Sequence, residues 1–375
     1  MLRHNELWRY LSTSKELTRV YISLAIRNFS LSLISLFVPL YLYNEMGYSL
    51  EETLMMFLFF SVVFAVSCPV AAKFSAKYGF KHSILLSTPF YILFILFLYL
   101  LPVLKTPLII LAVLMGISLA FYWVGMHPLF YFVTDRKKRG EEFGKGKAIM
   151  VAAATAGPLI GGLLINLVGF SLLFAIASVF LFISSIILFF SKDNHIRYNF
   201  SVKKIFNKDQ WKNSLFFVSQ GTEFMAHGVL WPLFIFIILG SYLSLGIIGS
   251  ILAGLTILIS WTFGKFSDNT DKHKLITISS SFESLSWFLK SLVITPAQVF
   301  AITIFGAITN GTRAIPVGAL VYDKTTKEDV LGYFVNREIF ICLGRILILS
   351  LVLMLGSLKS GLIFQGFSSL VALLF

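Results

Sequence analysis

The chain has 375 residues, of which 57% are hydrophobic and 13% are charged, and its mean hydropathy is +0.85. A soluble domain cannot bury this much apolar surface, so the composition indicates an integral membrane protein. A net charge of +13 would suit a nucleic-acid-binding protein, but the placement of the basic residues argues against that class. Cys68 and Cys342 both lie in apolar stretches and form no disulfide or metal-binding pattern.

Twelve apolar stretches are candidates for membrane-spanning helices, because about 20 apolar residues in a helix cross the hydrocarbon core. The last stretch is short. We predict an all-α polytopic membrane protein with twelve transmembrane helices. They cover residues 19–43, 50–72, 82–101, 107–133, 147–168, 170–191, 213–239, 243–264, 274–294, 297–322, 333–356 and 360–375.

Basic residues are concentrated on one side of these helices. If the N-terminus is cytoplasmic, that side carries 25 Lys and Arg residues, and the other side carries only Lys105 and Lys359. Cytoplasmic loops carry such an excess, so we predict a multi-pass protein of the cell (plasma) membrane with both termini in the cytoplasm. The basic loops favour contact with anionic membrane lipid and exclude a nucleic-acid partner.

A short phrase occurs twice, half the chain length apart. Residues 72–83 read AKFSAKYGFKHS and residues 264–275 read GKFSDNTDKHKL. Pro39 in VPLYLY and Pro232 in WPLFIF recur at nearly the same distance. The chain is therefore predicted to contain two six-helix halves in parallel, an arrangement found in secondary transporters.

The predicted halves meet at a basic segment. We place the N-terminal half at residues 1–191, the cytoplasmic linker at 192–212 and the C-terminal half at 213–375. In a transporter built this way, the substrate site lies between the halves near the membrane midplane.

The loop after predicted helix 2 and the middle of predicted helix 5 resemble motifs of the major facilitator superfamily. That family has Gly-x-x-x-Asp-Arg-x-Gly-Arg-Lys in the loop. The first copy here keeps Gly79 and Lys81, has Lys77 for the arginine and has alanine for the aspartate, whereas the second keeps Gly264 and Asp268. The helix-5 motif AGPLIGGLL contains Gly157, Pro158, Gly161 and Gly162.

The resemblance extends over nearly the whole chain and implies specific roles. The loop residues and the helix-5 glycines and proline are expected to act in gating. Asp268 would latch the halves while the cytoplasmic side is closed. In the family fold, helices 1, 4, 7 and 10 line the central cavity, which would therefore contain Arg27, Glu223 and Arg313.

Aromatic and polar residues on the same four helices favour an organic substrate. We expect the substrate to contact Arg27, Tyr122, Trp123, His127, Glu223, His227, Trp231 and Arg313. Because the two arginines outnumber the one acid, an anionic group on the substrate is favoured. Glu223 and His227 are one helical turn apart, and both are candidates for proton coupling.

Charged residues outside these helices are interpreted as structural. Glu283 is expected to pair with Arg345, and Lys290 can extend outward to the membrane surface. Arg337 and Glu338, at the start of predicted helix 11, are expected to form ion pairs between the halves.

The leading hypothesis is a secondary active transporter that works as a monomer by alternating access, needs no cofactor and moves a small organic molecule. A drug or lipophile exporter of the same fold, or a non-transporting membrane sensor or scaffold, remain alternatives. An enzyme is disfavoured because the sequence has no His-Glu-x-x-His motif, no phosphate-binding glycine motif and no acidic cluster in a loop.

Overall fold

A computed structural model of the chain describes residues 15–133, 139–191, 193, 211–267, 272–323 and 330–374. These residues form twelve helices and no β-strand, which confirms the predicted all-α class. The helices are α1 (Lys15–Ile34, continued by Val38–Leu40 and the π-helical turn Tyr41–Glu45), α2 (Leu50–Tyr78), α3 (Phe80–Leu104), α4 (Leu108–Val133), α5 (Arg139–Val168), α6 (Phe170–Phe189), α7 (Trp211–Met225, continued by the π-helical turn Ala226–Leu230 and by Trp231–Leu239), α8 (Tyr242–Ser267), α9 (Lys272–Ser291), α10 (Pro296–Asp323), α11 (Val330–Leu355) and α12 (Leu358–Ser369, continued by the 3-10 turn Leu370–Leu374).

Within the described ranges, nine helices are long and apolar enough to cross a membrane, namely α1 to α8 and α11. Helix α9 is rich in serine and buries Glu283 and Lys290, α10 buries Arg313, and α12 is shorter. Large apolar side chains also cover the outside, where Val66 and Leu167 are each 69% exposed. Such an extensive apolar exterior is expected where lipid replaces water as the surrounding medium.

Helices α1 and α7 are irregular next to the two repeated prolines. The α-helical pattern of α1 is interrupted at residues 35–37, just before Pro39, and a π-helical turn follows. In α7 a π-helical turn immediately precedes Trp231 and Pro232. Because proline lacks the amide hydrogen that a helix requires, it favours such distortions.

The first six helices and the last six helices each pack mainly among themselves. Helix α1 packs on α5 and α6, and α4 packs on α2 and α3. In the last six, α7 packs on α11, while α10 packs on α8 and α9. The two groups meet where α5 contacts α8 and where α2 and α4 contact α11.

We name the two ends of the bundle by residues that lie there. The basic face contains Tyr78 and Val330, at the ends of α2 and α11, and the opposite face contains Glu45 and Leu239, at the ends of α1 and α7. The basic face corresponds to the side for which we predict a cytoplasmic location.

Candidate functional site

A buried ion pair joins α7 to α10. Nη2 of Arg313 contacts Oε2 of Glu223, and both side chains are largely buried. Each group would be costly to bury alone in a low-dielectric interior, so each is accommodated mainly by the other. Two residues predicted to bind substrate are therefore brought together.

His227 lies one helical turn beyond Glu223 and faces a second carboxylate. Its Nε2 atom is 3.7 Å from Oε1 of Glu283 on α9, and its ring packs edge-on against Trp287 with centroids 4.6 Å apart. The hydroxyl of Thr309 on α10 donates to the other oxygen of Glu283. A histidine thus lies close to two buried carboxylates.

Lys290 adds a buried positive charge to this group of side chains. Its Nζ atom is 3.6 Å from the ring centroid of Trp287 and 5.6 Å from that of Trp231, and the residue is 1% exposed. The outward orientation considered from the sequence is therefore wrong: the ammonium group points into the bundle, where aromatic faces attract it. We call Glu223, His227, Trp231, Glu283, Trp287, Lys290, Thr309 and Arg313 the α7–α9–α10 cluster.

Three residues of the α7–α9–α10 cluster have the spacing of metal ligands. One ligand atom from each of Glu223, His227 and Glu283 lies within 4.8 Å of the other two. However, Arg313 already pairs with Glu223, and Lys290 supplies a second positive charge nearby. These cations balance the two carboxylates and so weaken the attraction of the group for a metal cation.

Arg27 on α1 is a buried cation within the first six helices. Its Nη1 atom donates to Thr88 at 3.2 Å and its Nη2 atom donates to Ser87 at 3.3 Å, both on α3. The guanidinium lies 4.0 Å above the ring of Tyr122 on α4. No described carboxylate pairs with Arg27, which faces α3 and α4 and is 2% exposed.

Residues of the Arg27 environment and of the α7–α9–α10 cluster recur at one spacing along the chain. Tyr91 lies next to Arg27, and the predicted repeat aligns it with Trp287. The same spacing along the chain separates Arg27 from Glu223, Ser87 from Glu283 and Tyr91 from Trp287.

The predicted pair between Glu283 and Arg345 is not formed. Glu283 contacts His227 and Thr309, whereas Arg345 on α11 is enclosed by aromatic rings of α2 and α7. The two side chains therefore face different neighbours. The spacing along a helix indicates depth but not which neighbour a side chain faces.

At the basic face, α4 meets α11 through a polar contact. Nε2 of His127 is 3.2 Å from Nη1 of Arg337 and 3.6 Å from Oε1 of Glu338, and Arg337 also contacts Glu338. The ring of His127 stacks between Trp123 and Phe334, with centroids 5.1 Å and 4.8 Å away. The ion pair itself joins Arg337 and Glu338 within α11, and His127 contacts both residues from α4, so ion pairing between the halves stays a prediction.

At the opposite face, α5 and α8 approach closely at the predicted glycine motif. A Cβ atom on Gly162 would lie 2.6 Å from the carbonyl oxygen of Tyr242, so only glycine fits this crossing without displacement. The amide of Leu159, next to Pro158, donates to Ser250 of α8 at 3.0 Å. The other motif glycines, Gly157 and Gly161, face α1 instead.

Tyr242 also connects α8 to α1, and the sequence interpretation missed it. Asn44 donates to the Tyr242 hydroxyl at 2.8 Å, and this hydroxyl lies 3.5 Å from Oε2 of Glu45. Its ring packs against Phe236 and Phe170, with centroids 4.9 Å and 5.3 Å away. Asn44 and Glu45, two polar residues at the end of α1, were the sequence signal for this contact.

The α2–α3 turn is held by an acid that the sequence interpretation also missed. Asp193 accepts the amides of Lys81 at 2.9 Å and His82 at 3.3 Å, and its Oδ2 atom lies 2.5 Å from Nδ1 of His82. The Lys81 ammonium donates to the carbonyl of Ser191 at 2.8 Å. The sequence signal was an aspartate directly after α6, at the start of a basic segment.

Gly79 allows the close contact between Asp193 and the α2–α3 turn. Its φ of +104° is unfavourable for other residues, and a Cβ atom would clash with Asp193. Lys77 is exposed and lies 5.0 Å above the ring of Tyr78. Gly264 lies within α8, and Asp268, the predicted latch, lies outside the described residues.

A sequence model of the Major Facilitator Superfamily matches residues 20–216, which is more than half of the chain. The chain belongs to the Major Facilitator Superfamily. This confirms the resemblance seen in the loop after α2 and in α5, and it agrees with the multi-pass helical architecture. The superfamily consists of membrane transporters, so the clusters described above lie in a transporter scaffold.

A relative in Bacillus subtilis (strain 168), the uncharacterized protein YqgE, is 23% identical over 269 residues. The match covers 67% of this chain and 62% of the relative, so the chain spans less than two thirds of the length of this curated relative. Its description names no substrate.

Proposed function

We propose that the chain is a secondary active transporter that moves a small organic solute by alternating access, and that it is not an enzyme. The observation that carries this proposal is a pair of contacts between the first six and the last six helices. His127 meets Arg337 at the basic face, and Asn44 meets Tyr242 at the opposite face. Alternating access requires separate contacts of this kind, because one must open while the other holds.

The proposed moving units are the two halves predicted from the sequence, residues 1–191 and 213–375, joined by 192–212. The equal spacing of Arg27 from Glu223 and of Tyr91 from Trp287 supports this division. We propose further that the protein works as a monomer in the plasma membrane and that the basic face is cytoplasmic.

We propose that the substrate contains an anionic group. In the described residues, the buried cations are Arg27, Lys290, Arg313 and Arg345, and the buried acids are Glu223, Glu283 and Glu338. Arg337, which is partly buried next to Glu338, adds a further positive charge. An interior with excess positive charge would be stabilised by an anionic ligand.

We propose that transport is coupled to protons through Glu223 and His227, and we add Glu283 to this group. His227 lies close to both carboxylates, and histidine titrates in the physiological range. A proton gained or lost here would change the charge balance with Arg313 and Lys290. Trp123 and His127, at the contact between the halves, are proposed to line the substrate path.

The experiment is a transport assay in liposomes that contain the purified full-length chain and a trapped pH-sensitive dye. Organic anions, organic cations and sugars are added in turn, with and without an imposed pH gradient. Liposomes without protein and liposomes with His227→Gln serve as controls. We expect an organic anion to move protons with the wild-type chain and this proton movement to be lost in the variant.

Three results would contradict parts of this proposal. Movement of cations or lipophiles alone would replace the anionic substrate with a drug-type substrate. Anion flux that does not depend on the pH gradient, in the wild-type chain and in His227→Gln alike, would argue against proton coupling. The absence of flux for every class would favour a sensor or scaffold.

A further inference from the structure

Arg345 lies at the boundary between the first six and the last six helices, near the middle of α11. Its guanidinium carbon is 5.0 Å from the ring centroid of Phe64 and 5.5 Å from that of Phe60, both on α2. The ring of Phe224 on α7 is 5.7 Å away. Both halves of the molecule therefore contribute to an aromatic enclosure around one positive charge.

The guanidinium group of Arg345 is not satisfied by this enclosure. The side chain is 93% buried, since 7% of the residue is exposed, and its Nε and Nη1 atoms make no hydrogen bond to any described residue. Ring faces attract the charge, but a guanidinium carries five N–H donors that need oxygen acceptors. A buried donor without an acceptor is costly, so a ligand that supplies oxygen atoms would stabilise this site.

The other buried cations have neighbours of a different kind. Arg313 pairs with Glu223, and Arg27 donates to two hydroxyl groups of α3. Lys290 also faces aromatic rings, but it lies inside the last six helices close to Glu283. Nε of Arg27 and Nζ of Lys290 also have no hydrogen-bond partner among the described residues, but both groups lie within one set of six helices, whereas Arg345 lies between the two sets.

We propose that Arg345 is the anion-binding group of the transport site and that it binds a small carboxylate with an aromatic body. This inference rests on the proposed transport function. Two parallel N–H donors of a guanidinium match the two oxygens of a carboxylate. Phenyl rings pack favourably against an aromatic ligand, and the ring centroids of Phe60, Phe64 and Phe224 lie 5.0 to 5.7 Å from the guanidinium carbon.

The contact at the basic face controls access to this site. Glu338 lies two turns before Arg345 on α11 and is held by His127 and Arg337. Cys342, one turn before Arg345, is fully buried. When the His127 contact opens, a path along this face of α11 leads past Cys342 to Arg345, and a ligand bound at Arg345 shields the thiol.

The test measures thermal unfolding of the full-length chain in detergent with benzoate, and with benzamide as a neutral ligand of the same shape. The proteins are wild type, Arg345→Gln, Arg345→Lys and the matched control Arg19→Gln. Arg19 is exposed and donates to the carbonyl of Phe190. We expect benzoate, but not benzamide, to raise the Tm of wild type and of the control through binding to the folded state.

We expect Arg345→Gln to weaken benzoate binding about 30-fold or more, because a buried charge-assisted contact is lost. Arg345→Lys keeps the positive charge but not the planar pair of donors. Its affinity for benzoate is therefore expected to lie between those of wild type and Arg345→Gln. A second readout does not depend on an arginine variant: benzoate slows N-ethylmaleimide labelling of Cys342 in a Cys68→Ala chain. Equal effects of benzoate and benzamide, no benzoate effect on wild type, or an unchanged response in Arg345→Gln would overturn the proposal.

Liposome flux separates this inference from the proposed function. If wild type transports benzoate and Arg345→Gln transports it at the same rate, the site assignment fails while the transport function stands. A loss of benzoate binding in Arg27→Gln with retention in Arg345→Gln would likewise move the anion site to α1. If benzoate binds through Arg345 but does not cross the membrane, the site stands and transport of this class fails.

Discussion

Nε2 of His127 on α4 lies 3.2 Å from Nη1 of Arg337 on α11, and both residues contact Glu338. This contact joins the first six helices to the last six at the basic face. Two fully buried cysteines, Cys68 on α2 and Cys342 on α11, provide natural reporters for its opening.

Replacement of Glu338 by Gln is expected to open this contact more often. The change removes the carboxylate that both His127 and Arg337 contact, and a hydrogen bond to a charged group contributes about 1.5–3 kcal/mol. The rate of thiol labelling by N-ethylmaleimide should rise roughly 10- to 100-fold, since about 1.4 kcal/mol corresponds to a factor of ten. Glu51→Gln, an exposed acid in the first turn of α2, is the control, and equal labelling rates would argue against a closing role.

The ion pair between Glu223 and Arg313 is expected to behave as a coupled unit. Glu223→Gln or Arg313→Gln alone leaves a buried charge with a weaker partner, which costs about 3–5 kcal/mol in comparable sites. The double variant removes both charges and should have a higher Tm than either single variant. Additive losses of stability in the double variant would show that the two side chains do not depend on each other.

The crossing of α5 and α8 is expected to be sensitive to one methyl group. Gly162→Ala places a Cβ atom against the carbonyl of Tyr242, and overpacking of this kind costs about 1–3 kcal/mol. Gly228→Ala is the matched control, because no atom lies within 4 Å of a Cβ atom there. We expect a lower Tm for Gly162→Ala alone, and a similar Tm for both variants would contradict the close approach.

Asp193 is expected to stabilise the α2–α3 turn by accepting the first amides of α3. Asp193→Ala removes these acceptors and should cost about 1 kcal/mol, as at other helix N-termini. Asp193→Asn keeps an acceptor oxygen and should lose less. Thermal unfolding of the three proteins tests this order, and identical Tm values would exclude a capping role.

Much of the architecture could be predicted because the membrane constrains it strongly. The run lengths of apolar residues follow the thickness of the hydrocarbon core, and the repeated prolines at 39 and 232 both lie next to distorted helix segments. The glycine motif was recognised from adjacent residues in the chain, and its Gly162 lies at the crossing of α5 and α8. These features depend on local sequence and on the surrounding medium.

The partners of charged residues could be predicted only in part. Arg337 and Glu338 were expected to form ion pairs between the halves, but their ion pair joins the two residues within α11, and His127 of α4 contacts them from the first six helices. Glu283 was assigned to Arg345 on depth alone. That assignment is wrong because Glu283 turns towards α7 and α10.

The amino-acid sequence alone determined the membrane class, the helical architecture, the repeated motifs and the resemblance to the superfamily, since each follows from apolar run length or from residues adjacent in the chain. Only the tertiary structure placed His227 between Glu223 and Glu283, Asp193 against Gly79, and Arg345 among the rings of Phe60, Phe64 and Phe224. The physical reason is that helical spacing gives the depth of a side chain in the membrane. The rotation of each helix about its axis, which decides the neighbour that a side chain contacts, follows from packing between helices that are distant in the chain.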